Sequence, residues 1–324
     1  MSTRPAFTEL GRFIRSAVPF VLIGLVLYAA LYVASERLIA GYAQRNRFFM
    51  VKTASHANYD HVILGSSHAE VFDYRDMNAR LEAITGSTIL NLAIAGAGIS
   101  VNRLLLEYFL AEHRTKSVVY VLDSFPFYSR AWNEDRLQDT GLFFQAPFDA
   151  ELARLLLADP RTWSVALDYV LGFSKINNPD RFAPDVFEEE AARFDRVYRP
   201  VAQIDQQRID YLYPDEIDES NLRDSPYLAE FEDLIRFVRA RGIRLAVVRP
   251  PIPERMSRML PNETQFETTL EAVLVRHDVE LYDFSSVNND EQFFFDSDHL
   301  NQSGVLNFFE HHLKDVLTPD RRSD

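Results

Sequence analysis

The chain has 324 residues, of which 47% are hydrophobic, so it can form one large domain or two modest ones. Its formal net charge is -14 at pH 7. That balance repels polyphosphate backbones and argues against nucleic-acid binding. The chain contains no cysteine, which excludes disulfides, thiol catalysis and zinc sites built on thiolates.

The first predicted element is an uncharged apolar segment at residues 17–34, which follows a tail at residues 1–16. As a helix this segment spans roughly 27 Å, close to the ~30 Å of a hydrocarbon core. Tyr28 and Tyr32 lie toward its C-terminal end, where aromatic rings favour the interface. A cleaved signal peptide is the alternative, but its apolar region is usually only ~7–15 residues long. We therefore expect a transmembrane anchor.

Cations flank this segment on both sides, so the positive-inside rule does not decide its orientation. They are Arg4, Arg12 and Arg15 before the segment and Arg37, Arg45, Arg47 and Lys52 after it. A short tail followed by one span is the plain signal-anchor arrangement, with the N-terminus inside. We expect a single-pass protein of a bacterial inner membrane whose main domain is periplasmic.

Strand-like and helical segments alternate over residues 61–317, after a polar, partly helical neck at residues 35–60. Predicted strands occupy residues 61–64, 88–92, 117–122, 243–248 and 279–282. Predicted helices occupy residues 101–111, 226–241, 263–277 and 303–317, the last with Ser303 as its N-cap. The alternation predicts an α/β domain with a parallel sheet covered on both faces, followed by a C-terminal tail at residues 318–324.

An insertion at residues 124–225 interrupts this alternation. It carries 20 acidic and 11 basic residues, and therefore most of the net negative charge. It is either a solvated helical insertion or a lid or substrate-binding subdomain beside a site, and the two interpretations are compatible.

Gly65-Ser66-Ser67-His68 directly follows the first predicted strand, at the edge of a parallel sheet where sites form. A serine hydroxyl becomes a nucleophile when a base, an orienting group and oxyanion donors surround it. A serine-rich turn also fits a plain helix N-cap, so this motif needs support from elsewhere in the chain.

That support lies near the C-terminus, where Asp296 precedes His299 by three residues. Asp296 could fix the tautomer of His299, whose other ring nitrogen could take the proton of Ser67. Asp298 is a competing carboxylate, but a side chain adjacent in sequence usually points away. An acidic turn capping the last helix is the alternative. The pairing with the serine turn favours a Ser-His-Asp triad.

The chain resembles the SGNH (GDSL-like) hydrolase superfamily, and more narrowly its membrane-anchored cell-envelope branch. Members of that branch act in O-acetylation of exopolysaccharides and D-alanylation of teichoic acids. Four segments carry the resemblance: residues 65–68 (GSSH), 91–96 (NLAIAG), 248–251 (VRPP) and 296–304 (DSDHLNQSG). The resemblance implies a flavodoxin-like parallel sheet of about five strands with helices on both faces, and it does not cover the insertion.

The resemblance also implies residue roles. Ser67, and not Ser66, would be the nucleophile, with His299 and Asp296 completing the triad. The backbone N–H groups of Ser67 and Gly96 would be oxyanion donors. The implied chemistry uses no metal and no cofactor.

One departure from the family pattern follows the third predicted strand. Many relatives carry Gly-x-Asn-Asp there, and its asparagine completes the oxyanion hole, whereas this chain has Asp123. Losing such a donor costs ~2.7–4 kcal/mol of barrier. Ser124 or Asn133 could substitute for it.

Two further residues are candidates for substrate binding. His68 could line the pocket, although a surface histidine is the plainer interpretation. Arg249 could hold substrate or simply form a salt bridge.

These observations predict a membrane-anchored acyltransferase or esterase that acts on small, acetyl-type esters of an envelope or secreted polysaccharide. The resemblance implies a multi-span membrane acyltransferase as partner. A non-catalytic binding or assembly subunit is one alternative, which the Asp123 departure supports. A plain carboxylesterase or lipase is the other.

Overall fold

The computed structural model describes residues 5–43, 45–178, 186–215 and 222–318, with the backbone alone at residues 5–9 and 186. Arg4 and residues 319–324, which the sequence assigns to the two tails, lie outside the described residues. So do two pieces of the insertion, residues 179–185 and 216–221.

Five parallel strands form one sheet in the order β2-β1-β3-β4-β5. The strands are β1 (Asn58–Leu64), β2 (Ile89–Asn91), β3 (Arg114–Val121), β4 (Arg244–Arg249) and β5 (Glu280–Asp283). This is the flavodoxin-like, doubly wound order, so the predicted fold class is confirmed. β1 begins three residues before the predicted strand, inside the segment assigned to the neck.

Sixteen α-helices lie in the part of the chain that the structure describes. They are α1 (Pro5–Tyr42), α2 (Arg47–Thr53), α3 (Ser67–Glu70), α4 (Met77–Thr85), α5 (Ile99–Glu112), α6 (Gly141–Phe144), α7 (Ala150–Ala158), α8 (Trp163–Leu171), α9 (Phe173–Ile176), α10 (Val186–Arg193), α11 (Ala202–Leu212), α12 (Pro226–Arg239), α13 (Glu254–Ser257), α14 (Glu263–Arg276), α15 (Gln302–Phe308) and α16 (Lys314–Leu317).

The predicted start of the last helix is wrong by two residues. Asn301, not Ser303, is the N-cap, and its side-chain oxygen accepts a hydrogen bond from the Gly304 N–H at 3.0 Å. An amide oxygen satisfies an otherwise unpaired N–H at a helix start as well as a hydroxyl does. The helix also widens over Phe309–Leu313 before α16 continues it.

The two faces of the sheet are both covered. Side chains alternate along β3, so Val118 and Tyr120 enter one core while Val119 and Val121 enter the other. The first core contains residues of α5, α12 and α14, and the second contains residues of α4, α15 and α16. A strand that is buried on both faces has a continuous run of apolar residues, and this run is why β3 could be predicted from the sequence.

The N-terminal helix α1 is 38 residues long and includes the whole predicted anchor. Its stretch Leu10–Tyr42 is long and apolar enough to cross a membrane, and its most apolar part is not buried against the protein. The C-terminal part of α1 packs on the domain through three buried side chains, Ser35, Ile39 and Ala43 at the helix end. The segment assigned to the neck is therefore largely a continuation of α1 followed by α2.

The insertion is mostly helical, as predicted, and contains α6 to α11. A 3-10 turn and a π-helical turn precede α6, and a second 3-10 turn joins α7 to α8. The Trp132 indole N–H donates to the Leu212 carbonyl of α11 at 2.9 Å. This contact joins the start of the insertion to its last long helix, beside the carboxyl ends of the strands.

Gly65→Ala should destabilise the fold sharply. Gly65 has φ +148°, and an added Cβ would lie 2.6 Å from the Val121 carbonyl oxygen in the adjacent, paired strand. Gly242→Ala is the matched control, because Gly242 also has positive φ (+69°) but has open space around it. The left-handed conformation of Gly242 costs a residue with a Cβ about 1–2 kcal/mol, and only Gly65 adds the close contact. Chemical denaturation in detergent should show a clearly larger loss for Gly65→Ala; equal losses would contradict the steric argument.

Candidate active site

The turn after β1 separates its two serines. Gly65 donates its N–H to the buried side chain of Asn102 at 3.0 Å, which fixes the turn. The Ser66 hydroxyl donates to Asp123 at the end of β3. Ser67, the first residue of α3, instead places its Oγ 2.7 Å from Nε2 of His299. The structure thus separates the roles of the two serines by their hydrogen-bond partners.

His299 lies between Ser67 and Asp296. Its Nδ1 is 2.8 Å from Oδ2 of Asp296. Asp296 also accepts the backbone N–H of His299 at 2.8 Å, so the three-residue spacing closes a local turn around the carboxylate. Removal from water would raise the pKa of Asp296, but the adjoining His299 lowers it below its ordinary value. An ionised carboxylate therefore orients the imidazole, and the imidazole faces a hydroxyl.

Asp298 does not point away from the triad, contrary to expectation. Its Oδ1 is 3.3 Å from Nδ1 of His299. Arg208 of α11 binds both of its oxygens through Nε, at 3.0 and 2.8 Å. Burial would raise the pKa of Asp298, yet the guanidinium and the neighbouring histidines hold it well below its ordinary range. Asp298 is therefore engaged mainly by Arg208, and Asp296 remains the closer partner of His299.

His68 is buried, with 6% of its surface exposed, so its interpretation as a surface histidine is wrong. Its Nδ1 is 2.6 Å from Oδ1 of Asp123, and its Nε2 is 3.6 Å from Oδ2 of Asp298. Burial acts to lower the pKa of His68, but the two carboxylates outweigh it and raise the pKa to about 10. A buried imidazolium thus lies behind the triad, with its ring centre 4.9 Å from that of His299.

Asp123 occupies the position where the sequence pattern that this chain resembles has an oxyanion donor. Burial would raise its pKa, but His68 and the Ser66 hydroxyl lower it, so the group is an ionised acceptor. The result is a chain of alternating charges, which we call the ion network: Asp123, His68, Asp298 and Arg208. Two anions and two cations balance within it.

A cavity of about 580 Å³ opens beside Ser67. The triad, Gly96 and Arg208 line it together with Trp132 of the insertion. Gly96 has φ +70°, and a Cβ there would approach the Trp132 ring to 3.0 Å. Within the described residues, the N–H groups of Ser67 and Gly96 donate to no other protein group. The cavity has the size of a small-ligand pocket, with two unengaged N–H donors in its lining residues.

The other predicted substrate-binding residues do not reach Ser67. The Ser124 hydroxyl is 2.6 Å from the Tyr213 hydroxyl and donates to Glu263 at 2.9 Å. Asn133 is fully buried and donates to the Pro126 carbonyl at 2.7 Å, so it stabilises the insertion. Arg249 forms the predicted salt bridges, with the carboxylates of Glu263, Glu267 and Asp283. Ser124 and Arg249 line a separate cavity of about 40 Å³.

Arg208 is the site residue that sequence reasoning missed. Its Nη2 is 3.4 Å from Nε2 of His299. The available signal was Asp123, because a carboxylate in place of an amide, next to a second buried aspartate, requires cations nearby. The presence of Asp123 does not indicate which arginine of the insertion supplies the compensating positive charge.

Three groups of the site lie close enough to share a metal ion. Ligand atoms of His68, Asp298 and His299 lie within 4.8 Å of one another. The geometry does not favour a cation, because Arg208 already binds Asp298 and His68 is itself positively charged. The expectation of metal-free chemistry stays a prediction.

No family model and no curated protein sequence matches this chain. Among solved structures, it is similar to a protein from Bacteroides fragilis NCTC 9343 described as a candidate acylhydrolase, with TM-score 0.41, 8% identity and coverage of 86% of this chain and 97% of that one. It is also similar to a protein from Streptococcus pneumoniae described as a candidate platelet activating factor, with TM-score 0.37, 12% identity and coverage of 92% and 99%. Likeness at this level carries no argument about activity.

The raised pKa of His68 predicts a pH dependence of stability. A histidine with a pKa near 6.5 when unfolded and about 10 when folded stabilises the fold fully below pH 6.5 and loses that contribution as pH rises toward 10. The difference in melting temperature between wild type and His68→Gln should therefore shrink as pH rises through that window. His56→Gln is the control for replacing a histidine, because His56 is exposed and lies outside the ion network. A pH-independent difference for His68→Gln would contradict a buried imidazolium.

Proposed function

We propose that this protein is a serine acyltransferase or esterase that forms an acyl-enzyme on Ser67. The supporting observation is the hydrogen-bonded sequence Ser67 Oγ to His299 Nε2 (2.7 Å) and His299 Nδ1 to Asp296 Oδ2 (2.8 Å). A hydroxyl, an imidazole and an ionised carboxylate in that order are the parts of a serine nucleophile and its base. This chemistry also agrees with the SGNH-type resemblance of the sequence.

In the first half-reaction, Ser67 Oγ bonds to the acyl carbonyl carbon while His299 Nε2 takes the hydroxyl proton. The carbonyl oxygen becomes an oxyanion, which the N–H groups of Ser67 and Gly96 stabilise. His299 then returns the proton to the leaving alcohol oxygen as the ester bond breaks. In the second half, a sugar hydroxyl or water loses its proton to His299 and bonds to the acyl carbon, and His299 returns that proton to Ser67 Oγ as the acyl-enzyme bond breaks. Asp296 holds the imidazole in one tautomer and stabilises its charged form throughout.

Arg208 replaces the missing oxyanion donor in this proposal. Its guanidinium lies beside His299 Nε2 and lines the same cavity as Ser67. A guanidinium is always charged and carries several N–H donors, so it can bind Asp298 and still face the cavity. The donor thus comes from the insertion instead of from the end of β3.

The proposed substrates are small, acetyl-type esters of an envelope or secreted polysaccharide, handled outside a bacterial inner membrane. The apolar α1 supports an anchored protein, and the cavity is walled in part by Asn46 and Arg47, which follow that helix. A multi-span membrane acyltransferase is the proposed partner, and it would supply the acyl group. The alternative is a non-catalytic binding subunit, favoured by the single observation that Asp123 cannot donate a hydrogen bond.

A fluorophosphonate probe should label wild type and should not label Ser67→Ala. Ser66→Ala is the matched control, since Ser66 is adjacent in sequence but bonded to Asp123, and it should still be labelled. The probe reacts only with an activated serine hydroxyl, so in-gel fluorescence reads the triad directly. Absence of labelling in wild type would favour the binding-subunit alternative, and equal labelling of Ser67→Ala would place the nucleophile elsewhere.

Arg208→Gln should lower kcat for an aryl acetate by roughly 10²–10³-fold, the usual effect of losing one oxyanion donor. KM should change much less, because the donor acts mainly in the transition state. Arg255→Gln is the control. Arg255 of α13 pairs at 2.8 Å with Asp205, which lies on the same helix as Arg208. Arg208→Lys should recover part of the rate. Wild-type kcat in a folded Arg208→Gln protein would remove Arg208 from the mechanism.

A further inference from the structure

The helix α8 carries an apolar face that no described part of the protein covers. Trp163, Leu167 and Leu171 are 56%, 58% and 56% exposed. They are spaced four residues apart, which places them on one side of the helix. Phe173, at the start of α9, extends the same exposed apolar surface. We call these four residues the α8 face.

The opposite side of α8 is apolar too. Val165, Ala166 and Tyr169 are buried against the domain. Asp168 is the single charged residue in the nine-residue helix. Apolar residues thus occupy both the buried side and most of the exposed side of α8, a pattern typical of helices in a protein interior or in lipid. An exposed apolar face of this kind marks an interaction surface.

Contacts with α1 fix where this face lies. The Tyr28 hydroxyl donates to the Leu171 carbonyl at 2.8 Å, and the Tyr32 ring packs tightly on Gly172. Beyond them, the buried Lys175 of α9 and the partly exposed Glu36 of α1 form an ion pair at 2.6 Å. The end of α8 is therefore held at the level of the two tyrosines, where the packing of α1 on the domain begins.

We propose that the α8 face lies in the bilayer, at the boundary between headgroups and acyl chains, beside α1. Lipid is favoured over a protein partner because the α8 face is continuous with the exposed apolar surface of α1, at the depth marked by Tyr28 and Tyr32. An amphipathic ring such as that of Trp163 suits this boundary, and helices with apolar faces bind there. The proposal rests on α1 crossing the membrane and is independent of the chemistry at Ser67.

The cysteine-free chain allows a direct test with single thiols. Leu167→Cys, labelled in detergent with a polarity-sensitive fluorophore, is reconstituted as the full chain into phosphatidylcholine–phosphatidylglycerol vesicles with or without bromine on the acyl chains. Its emission should shift to the blue and lose most of its intensity with brominated lipid. Val21→Cys in α1 is the reference inside the membrane. Val275→Cys on α14, 80% exposed, is the control surface and should stay unquenched.

Each outcome decides the proposal. Quenching at Leu167 and Val21 but not at Val275 supports it. Quenching at Val21 alone overturns the proposal but still supports α1 as a membrane anchor. Emission at Leu167 that depends on protein concentration would instead show that the α8 face binds a second copy of the chain. An unquenched Val21 overturns the anchor and this proposal together. Fluorophosphonate labelling of the same vesicles reports on Ser67 separately, so failure of the enzyme proposal is distinguishable.

Discussion

The buried ion network is the interaction on which the site depends. Asp123 follows β3, His68 follows the serine turn, Asp298 belongs to the C-terminal loop and Arg208 belongs to α11 of the insertion. Four distant segments are thus joined by alternating charges in a region with little water. Removing one member of such a set leaves an uncompensated buried charge, which costs about 3–5 kcal/mol. The insertion is therefore an integral part of the site.

The same network explains how the triad can accommodate the nearby carboxylate of Asp123. The charge of Asp123 is neutralised by His68, and that of Asp298 by Arg208, so His299 faces a balanced field. Its Nδ1 stays closest to Asp296, and its Nε2 stays on Ser67. In the proposed mechanism, the hydrogen-bond donor that Asp123 cannot supply comes from Arg208, a cation from another part of the chain.

The fold and the contact of Asp296 with His299 were predictable because their signals are local, whereas the approach of Ser67 to His299, 232 residues away, was expected from the resemblance of the two motifs. Buried parallel strands are apolar runs such as β3, and Asp296 meets His299 within one turn. The burial of His68 and the role of Arg208 were not predictable. Their partners lie 55 and 90 residues away in sequence, and only the assembled fold says which charges share a low-dielectric space. Ser303 was misassigned for a smaller reason, since Asn301 competes for the same cap.

The continuity of α1 has a geometric consequence for the site. The helix runs unbroken past Tyr32 to Tyr42, and Arg47 then fixes the chain to the domain through Asp73 at 2.6 Å and the Ala93 carbonyl at 2.9 Å. At about 1.5 Å per residue, the ten residues from Tyr32 to Tyr42 measure roughly 15 Å. With Tyr32 at the membrane surface, this length of α1 would hold the domain against the bilayer, and Asn46 and Arg47, which follow the helix, would bring the cavity close to that surface.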